Sequence, residues 1–354
     1  MESLCPGEGH RCGQFGFRIW RGSQVLVGMN GSEASSKPHL NSPRKVSRRI
    51  TLARLAAALG SGVGLFLYGH APRFWNQMLE EMSAEILAPA RWPDPRKWPD
   101  KGLFAAWLGH TTVLLKIDGF TILTDPVLGP KIGIGLGPVT VGFKRLVHPA
   151  VPFERLPHVD LVLLSHAHMD HFDIPSLRRL ENSKSDVITA YRTSDLLRTN
   201  RYRSVHELRW GDRTRIGPVL CAAFEVKHWG ARLRNDHYRG YNGYMLEAGR
   251  YRVMFAGDTA LTTRLRALKS SKPIDLAIMP IGAYNPYIRN HCSPEQAWKM
   301  GNEVGAIHFL PVHHQTFRLS REPRMEPIER FLAVARSEDD RIPVRAIGHE
   351  FGVV

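Results

Sequence analysis

Short apolar runs separated by polar turns dominate the chain from residue 103 onward, and they predict strands mixed with helices. The runs at 113–117 and 121–123 flank Asp118-Gly119, a dipeptide that favours a tight hairpin turn. Further strands are predicted at 160–164, 219–223, 244–247, 253–256, 274–279 and 306–310, and helices at 175–182, 260–269, 294–304 and 326–336. Hairpins mixed with helices predict an α/β fold in which helices enclose two β-sheets.

Four potential metal ligands occur within six residues, directly after the predicted strand at 160–164. They are His166, His168, Asp170 and His171. Zinc prefers imidazole nitrogen and carboxylate oxygen, and catalytic zinc keeps one coordination position open for water. A loop that leaves a strand can fold such residues around a single point. The alternative interpretation is a polar surface loop rich in histidine.

More candidate ligands follow later strands in the chain. His228 comes after the strand at 219–223, Asp258 follows an apolar run in Ala256-Gly257-Asp258, and His313 follows the strand at 306–310. One histidine or aspartate at a strand end is usually just a polar terminus. The complete set, all at strand ends, predicts a metal centre that holds more than one ion.

This ordered string of motifs resembles the metallo-β-lactamase superfamily, within which the chain is most similar to the phospholipases D that hydrolyse N-acylphosphatidylethanolamine. The resemblance extends over about residues 103–335. It implies a four-layer αββα sandwich. The segments that carry it, besides 166–171 and 313, are 107–112, 123–126, 227–229, 256–259 and 280–284.

The resemblance also implies two zinc ions per chain and a ligand for each motif. An imidazole at His168 favours zinc and hydrolysis, because the diiron relatives carry an acidic residue there and carboxylate-rich ligation suits iron. The implied ligands are His166, His168 and His228 for the first ion, Asp170, His171 and His313 for the second, and Asp258 as a bridge between them. His110 is either a partner that orients a ligand or a buried, hydrogen-bonded histidine.

The last ligand has two candidates, since His313 and His314 are adjacent. In the branch that the chain resembles, the string His-x-x-Thr-Phe matches 313–317 and favours His313.

Two residues are expected to have catalytic roles. Asp170 would orient the nucleophile as well as bind metal. His291 would act as an acid or contact the substrate, and the alternative is that it is a surface residue before a helix.

The function that these features favour is a phospholipase D-type zinc phosphodiesterase, which attacks phosphorus with a hydroxide that bridges the metals. Its substrate would resemble N-acylphosphatidylethanolamine, and the membrane surface would be its partner. The segment at 129–143, rich in glycine and aliphatic residues, would be a core loop or a lid. The first alternative is a zinc hydrolase of lactones or RNA phosphodiesters, although nucleic acid is not expected as a partner. A non-enzymatic, membrane-associated metal-binding scaffold is the second.

Net charge is +15 and the pI is near 10.0, a balance that favours contact with phosphate groups. Part of this excess lies within residues 1–46, whose glycine-, serine- and proline-rich composition predicts a disordered basic leader. Met29 is an alternative start to Met1. Cysteine is scarce, so no disulfide framework or cysteine zinc site is predicted.

Residues 47–70 combine a basic flank with an apolar stretch, and they are interpreted as an uncleaved membrane anchor or signal-like helix. Positive charge before the stretch would send the catalytic domain to the non-cytosolic side. The alternative is a helix of a soluble, cytosolic fold. Residues 71–102 would form a helical and proline-rich linker, and residues 103–354 the catalytic domain. Oligomeric state stays open.

Overall fold

The computed structural model describes residues 72–136, 139–233 and 235–354. The leader predicted at 1–46 and the anchor predicted at 47–70 lie outside these ranges. Among the described residues, no helix combines the length and apolar character needed to cross a bilayer. The division into linker and catalytic domain stays a prediction.

Strands outnumber helices in the described part of the chain, and short 3-10 helices connect them. The strands are β1 (Leu103–Gly109), β2 (Thr112–Ile117), β3 (Phe120–Thr124), β4 (Lys131–Leu136), β5 (Val139–Lys144), β6 (Leu161–Leu163), β7 (Asp186–Ala190), β8 (Ser204–Leu208), β9 (Arg213–Ile216), β10 (Val219–Phe224), β11 (Gly243–Ala248), β12 (Tyr251–Phe255), β13 (Ile274–Pro280), β14 (Ala306–Val312) and β15 (Glu350–Val353). The α-helices are α1 (Pro72–Ser83), α2 (Ile174–Arg179), α3 (Pro294–Glu303) and α4 (Glu326–Ala335). The 3-10 helices are Pro95–Lys97, Phe153–Arg155, Ser194–Leu196, Thr199–Arg201, Arg264–Leu268 and Arg336–Arg341.

Two large sheets hold most of these strands. The first has the order β15-β1-β2-β3-β6-β7-β8 and the second the order β14-β13-β12-β11-β10-β9, while β4 and β5 pair as a separate hairpin. In the first sheet β1, β3 and β6 run in one direction. In the second, β10, β12, β13 and β14 also share a direction. The carboxyl ends of each group therefore meet at one edge of its sheet.

Apolar side chains from both sheets form one hydrophobic core between them. Leu115 and Leu163 of the first sheet belong to the same buried cluster as Leu246 and Phe255 of the second. Burial of each such side chain contributes about 1.5–3 kcal/mol. This shared core holds the two sheets face to face, as the predicted sandwich requires.

A second core lies between the second sheet and two helices. Phe309 of β14 packs against Trp298 of α3 and Phe331 of α4, with ring centroids 4.5 and 5.9 Å apart. This helical layer agrees with the predicted αββα order. The first sheet has a thinner helical cover, because the six-residue α2 is the only α-helix among the described residues between β5 and β8, and the other helices there are short 3-10 helices.

Most predicted elements are present, and the differences are local. The 118–119 turn is confirmed, since Asp118 and Gly119 have φ of 45° and 86°, which the tight hairpin between β2 and β3 requires. The α-helix predicted at 260–269 is wrong, because only a 3-10 helix forms there, at Arg264–Leu268. The 129–143 segment, interpreted as a loop, forms the β4–β5 hairpin.

Candidate metal centre

The seven side chains predicted to bind metal lie together where strands of both sheets end. The loop after β6 supplies four of them, and the loops after β10, β12 and β14 supply one each. They are His166, His168, Asp170, His171, His228, Asp258 and His313. Because β6 belongs to the first sheet and the other three strands to the second, the convergence depends on the packing of the two sheets.

Three imidazoles form the first group. The Nδ1 atom of His168 lies 2.8 Å from Nε2 of His166 and 3.2 Å from Nε2 of His228. These nitrogens and a carboxylate oxygen of Asp258 all lie within 4.8 Å of one another. Four donor atoms this close can coordinate one metal ion.

The second group combines two imidazoles with a carboxylate. The Oδ2 atom of Asp170 lies 3.5 Å from Nε2 of both His171 and His313. His110, whose Nε2 is 3.0 Å from the same oxygen, joins them. His110 is therefore in contact with a candidate ligand, as expected of a residue that orients it.

Asp258 lies between the two groups. Its Oδ2 atom is 3.7 Å from Nε2 of His228 in the first group, and 3.1 and 3.2 Å from Nε2 of His171 and His313 in the second. The preceding Gly257 has φ of 57°, and a Cβ atom there would meet Ser165 Cβ at 2.9 Å. Glycine thus allows the turn that carries Asp258 to approach the loop after β6.

Outer contacts fix the orientation of the rings. Nδ1 of His171 lies 2.7 Å from Oδ2 of Asp125, and Nδ1 of His228 lies 2.9 Å from the carbonyl oxygen of Asn290. Nδ1 of His166 is 2.9 Å from the Ser165 hydroxyl. In each case Nδ1 has a partner outside the cluster, so Nε2 faces the other donors.

Burial keeps the first group of imidazoles neutral. It lowers the pKa of His166 and His228 well below the ordinary value, and it lowers that of His168 to about 4. A neutral imidazole has a free lone pair, which a metal ion requires.

The second group carries charge. Burial disfavours the charged forms of His171 and His313, but the attraction of the Asp258 and Asp170 carboxylates is stronger. These carboxylates raise the pKa of His171 well above its ordinary value and that of His313 to about 9. Burial would likewise raise the pKa of both aspartates, yet the nearby histidines hold each well below its usual range. Two protonated imidazoles therefore balance two carboxylates.

Several donor atoms in this cluster are buried without a hydrogen-bond partner among the described residues. They are Nε2 of His171, Nε2 of His313 and both carboxylate oxygens of Asp258. A buried polar atom without a partner costs about 1–3 kcal/mol. Metal ions coordinated by these nitrogen and oxygen atoms would satisfy them, so the residues present fit a metal centre.

The neighbours His313 and His314 face different surroundings. His313 lies within the cluster, whereas His314 packs against Trp107 with ring centroids 4.5 Å apart. This geometry favours His313 as the ligand.

His291 is buried, so the surface interpretation of this residue is wrong. Its Nδ1 atom lies 3.7 Å from Asp258 Oδ2 and has no hydrogen-bond partner among the described residues. Burial lowers the pKa of His291 to about 4. The neutral ring suits contact with substrate better than service as a strong acid.

Three residues at the site were not assigned a role from the sequence. Asp125 lies in a quoted motif at the end of β3, and its position was the signal that could have revealed it. Arg232 donates to the carbonyls of Ala167 and Phe172 and so braces the ligand loop, but nothing in its sequence context indicates this. The Trp229 ring lies edge-on to that of His168, with centroids 4.6 Å apart, and is 37% exposed at the rim.

Comparison with known proteins agrees with this geometry. Residues 121–314 match the family described as "Beta-lactamase superfamily domain". An uncharacterized protein of Mycobacterium tuberculosis is 32% identical over 282 residues, which cover 76% of this chain and 74% of that protein. N-acyl-phosphatidylethanolamine-hydrolyzing phospholipase D 1 of Caenorhabditis elegans is 27% identical, with 68% of this chain and 72% of that protein covered.

Solved structures share the fold. An isothiocyanate hydrolase from Delia radicum gut bacteria has a TM-score of 0.56 and 17% identity, covering 70% of this chain and 98% of that one. At this level of identity the likeness concerns the arrangement of strands and helices.

Proposed function

This chain belongs to the beta-lactamase superfamily and is a metal-dependent hydrolase. From that premise we propose that it is a phospholipase D-type phosphodiesterase with two zinc ions. The substrate is a phospholipid similar to N-acylphosphatidylethanolamine. It is cleaved between the phosphate and the headgroup, which leaves phosphatidate.

The ligand assignment in this proposal follows the two groups of donors. His166, His168 and His228 would hold one ion, and Asp170, His171 and His313 the other, with Asp258 shared. Bound zinc lowers the pKa of coordinated water and polarises a phosphoryl oxygen. The donor set consists of imidazoles and carboxylates, which suits zinc.

The single observation that carries the proposal is the position of Asp258 between two sets of imidazoles. A structural zinc site is usually closed by four ligands and needs no shared carboxylate. Here the Asp258 Oδ2 atom lies within 3.7 Å of nitrogens from both sets. This arrangement supports a dinuclear catalytic centre over a structural one.

Two further residues act on the substrate and the nucleophile. Asp170 is ionised, and its side chain keeps 17% exposure, so it can accept a hydrogen bond from the attacking water and orient it. His291 is neutral, and its Nδ1 atom has no partner within the described residues, so it can donate a hydrogen bond to a phosphoryl oxygen.

Similarity to the C. elegans phospholipase D supports a phospholipid as the substrate. The net charge of +15 also favours an anionic substrate surface. Membrane association, through the anchor proposed at 47–70, would bring the metal centre to its lipid. That segment lies outside the described residues.

The test is hydrolysis of N-acylphosphatidylethanolamine in detergent micelles by the purified, zinc-loaded protein. Mass spectrometry should detect phosphatidate and N-acylethanolamine in equal amounts. His168→Ala should abolish release, while the control His158→Ala, which changes a half-exposed histidine outside the cluster, should not. Turnover of lactones or RNA with none of phospholipid would refute the proposed substrate.

A further inference from the structure

A cavity lies beside the metal centre, on the loop that follows β14. It has a volume of about 370 Å³ and is lined by residues 282–283, 313–315 and 317–324, together with Leu146 and Pro327. This volume falls in the range of pockets that hold small organic ligands. Of the seven candidate ligands only His313 lines it, and His291 does not, so most of its wall lies outside the metal centre.

Arginine dominates the charge of this cavity. Arg318, Arg321 and Arg324 line it with a single acid, Glu322, which gives these four side chains a net charge of +2. Arg318 lies 3.5 Å from Glu80, but Arg321 and Arg324 form no side-chain ion pair with any described residue. Two guanidinium groups are thus free to bind an anion.

A buried amide adds a neutral donor. Gln315 is 8% exposed and lines the cavity, and its Nε2 atom has no hydrogen-bond partner among the described residues. A buried amide nitrogen without an acceptor is unfavourable, by about 1–3 kcal/mol. An oxygen atom of a bound anion would satisfy it.

Part of the remaining wall is apolar. Leu146, Phe317, Pro323 and Pro327 supply carbon surface to the cavity. Inorganic phosphate alone has no apolar group that could pack against this carbon surface. The combination of arginines, an amide donor and an apolar wall fits an anion attached to an apolar group.

We propose that this cavity binds an amphiphilic phosphate monoester. A phosphate monoester carries about −1.5 to −2 charge at neutral pH, which matches the net charge of +2 on the three arginines and Glu322, whereas a carboxylate carries −1. The arginines and the Gln315 amide hold the phosphate oxygens, and the apolar wall holds the first carbons of the attached chain. This site does not depend on which reaction the metal centre catalyses.

Titration calorimetry of zinc-loaded protein with water-soluble dihexanoyl phosphatidate tests the proposal. We expect binding at the cavity, weaker binding of inorganic phosphate and none of dihexanoylglycerol. Arg321→Gln/Arg324→Gln should weaken phosphatidate binding at least about tenfold, because two charge-assisted hydrogen bonds are lost. Ser320→Trp, which fills the cavity without changing charge, should weaken it as well.

Two controls separate the cavity from other sites. Arg178→Gln/Arg213→Gln removes the same charge from exposed positions outside the cavity and should leave binding unchanged. His168→Ala should also retain binding, since the metal centre is not the site. Equal binding by wild type and the Arg321/Arg324 variant would overturn the proposal. So would loss of binding in His168→Ala, or phosphate binding as tight as that of phosphatidate.

Discussion

Asp125→Asn should weaken metal binding, although Asp125 is not itself a candidate ligand. Its Oδ1 atom accepts from the Ser165 backbone N–H at 2.7 Å, so the amide oxygen of an asparagine must take that position. The amide NH₂ then faces Nδ1 of His171, where Oδ2 now lies at 2.7 Å. When the ring gives up one proton to bind metal, Nδ1 must be the acceptor, so the remaining proton stays on Nε2, the atom that faces the other donors.

The size of the effect follows from this exchange. A hydrogen bond to a charged group is worth about 1.5–3 kcal/mol, and each 1.36 kcal/mol is a factor of ten in affinity. The changed tautomer also removes the lone pair that His171 would offer to a metal ion. We therefore expect the affinity for the zinc ion that His171 would hold with Asp170 and His313 to fall about 10- to 100-fold, the range typical of partners that orient a ligand.

Competition with a chromophoric chelator, with zinc content by mass spectrometry, measures this loss. Asp173→Asn is a matched control, because Asp173 is also buried near the site but caps α2 through Ser176. Asparagine is as good a cap as aspartate, so zinc affinity should not change. Wild-type affinity in Asp125→Asn would show that the tautomer argument is wrong.

Three further predictions concern the histidines of the site. His313→Ala should lose one zinc ion per chain by elemental analysis, whereas His314→Phe, which preserves packing on Trp107, should keep both. Zinc affinity should rise between pH 7 and 9, by up to about tenfold per pH unit for the proton on His313, whose pKa is about 9, and further for the proton that His171 must also lose. Calorimetry should show a shallower rise in His313→Ala. His291→Ala should lower kcat/KM equally for aryl and alkyl phosphodiesters, and His291→Gln should restore part of it; a loss confined to alkyl esters would instead indicate an acid.

The candidate ligands could be predicted from the sequence because each of them follows a strand. Parallel strands end at the same edge of a sheet, so residues such as Asp258 and His313 meet even though 54 residues separate them in the chain. The split into two groups came from the family resemblance. Hydrophobic periodicity alone does not indicate which histidine ring belongs to which group of ligands.

Contacts that depend on packing between distant loops could not be predicted. Arg232 donates hydrogen bonds to the carbonyl oxygens of Ala167 and Phe172, which lie about 60 residues earlier in the chain. The β4–β5 hairpin was missed because its glycines weaken the strand pattern, and Gly133 and Gly142 pair where a Cβ atom would meet backbone at 2.2 and 2.0 Å. The cavity beside the metal centre is lined both by residues 282–283 and by the loop after β14, two segments that lie far apart in the sequence.

Backbone strain at the metal centre indicates that contacts with the surrounding fold fix the loops that carry the ligands. His110, Asp125 and His313 have φ of 51°, 32° and 64°, in the left-handed region that costs non-glycine residues about 1–3 kcal/mol each. Such conformations persist only where the surroundings fix them. The His313 amide donates to the His110 carbonyl at 3.1 Å, and the Asp125 amide donates to that of Leu163 at 2.9 Å. The first bond joins the loop after β14 in the second sheet to the turn after β1 in the first, and the second bond joins β3 to β6 within the first sheet. Backbone contacts therefore hold the loops that carry the donors.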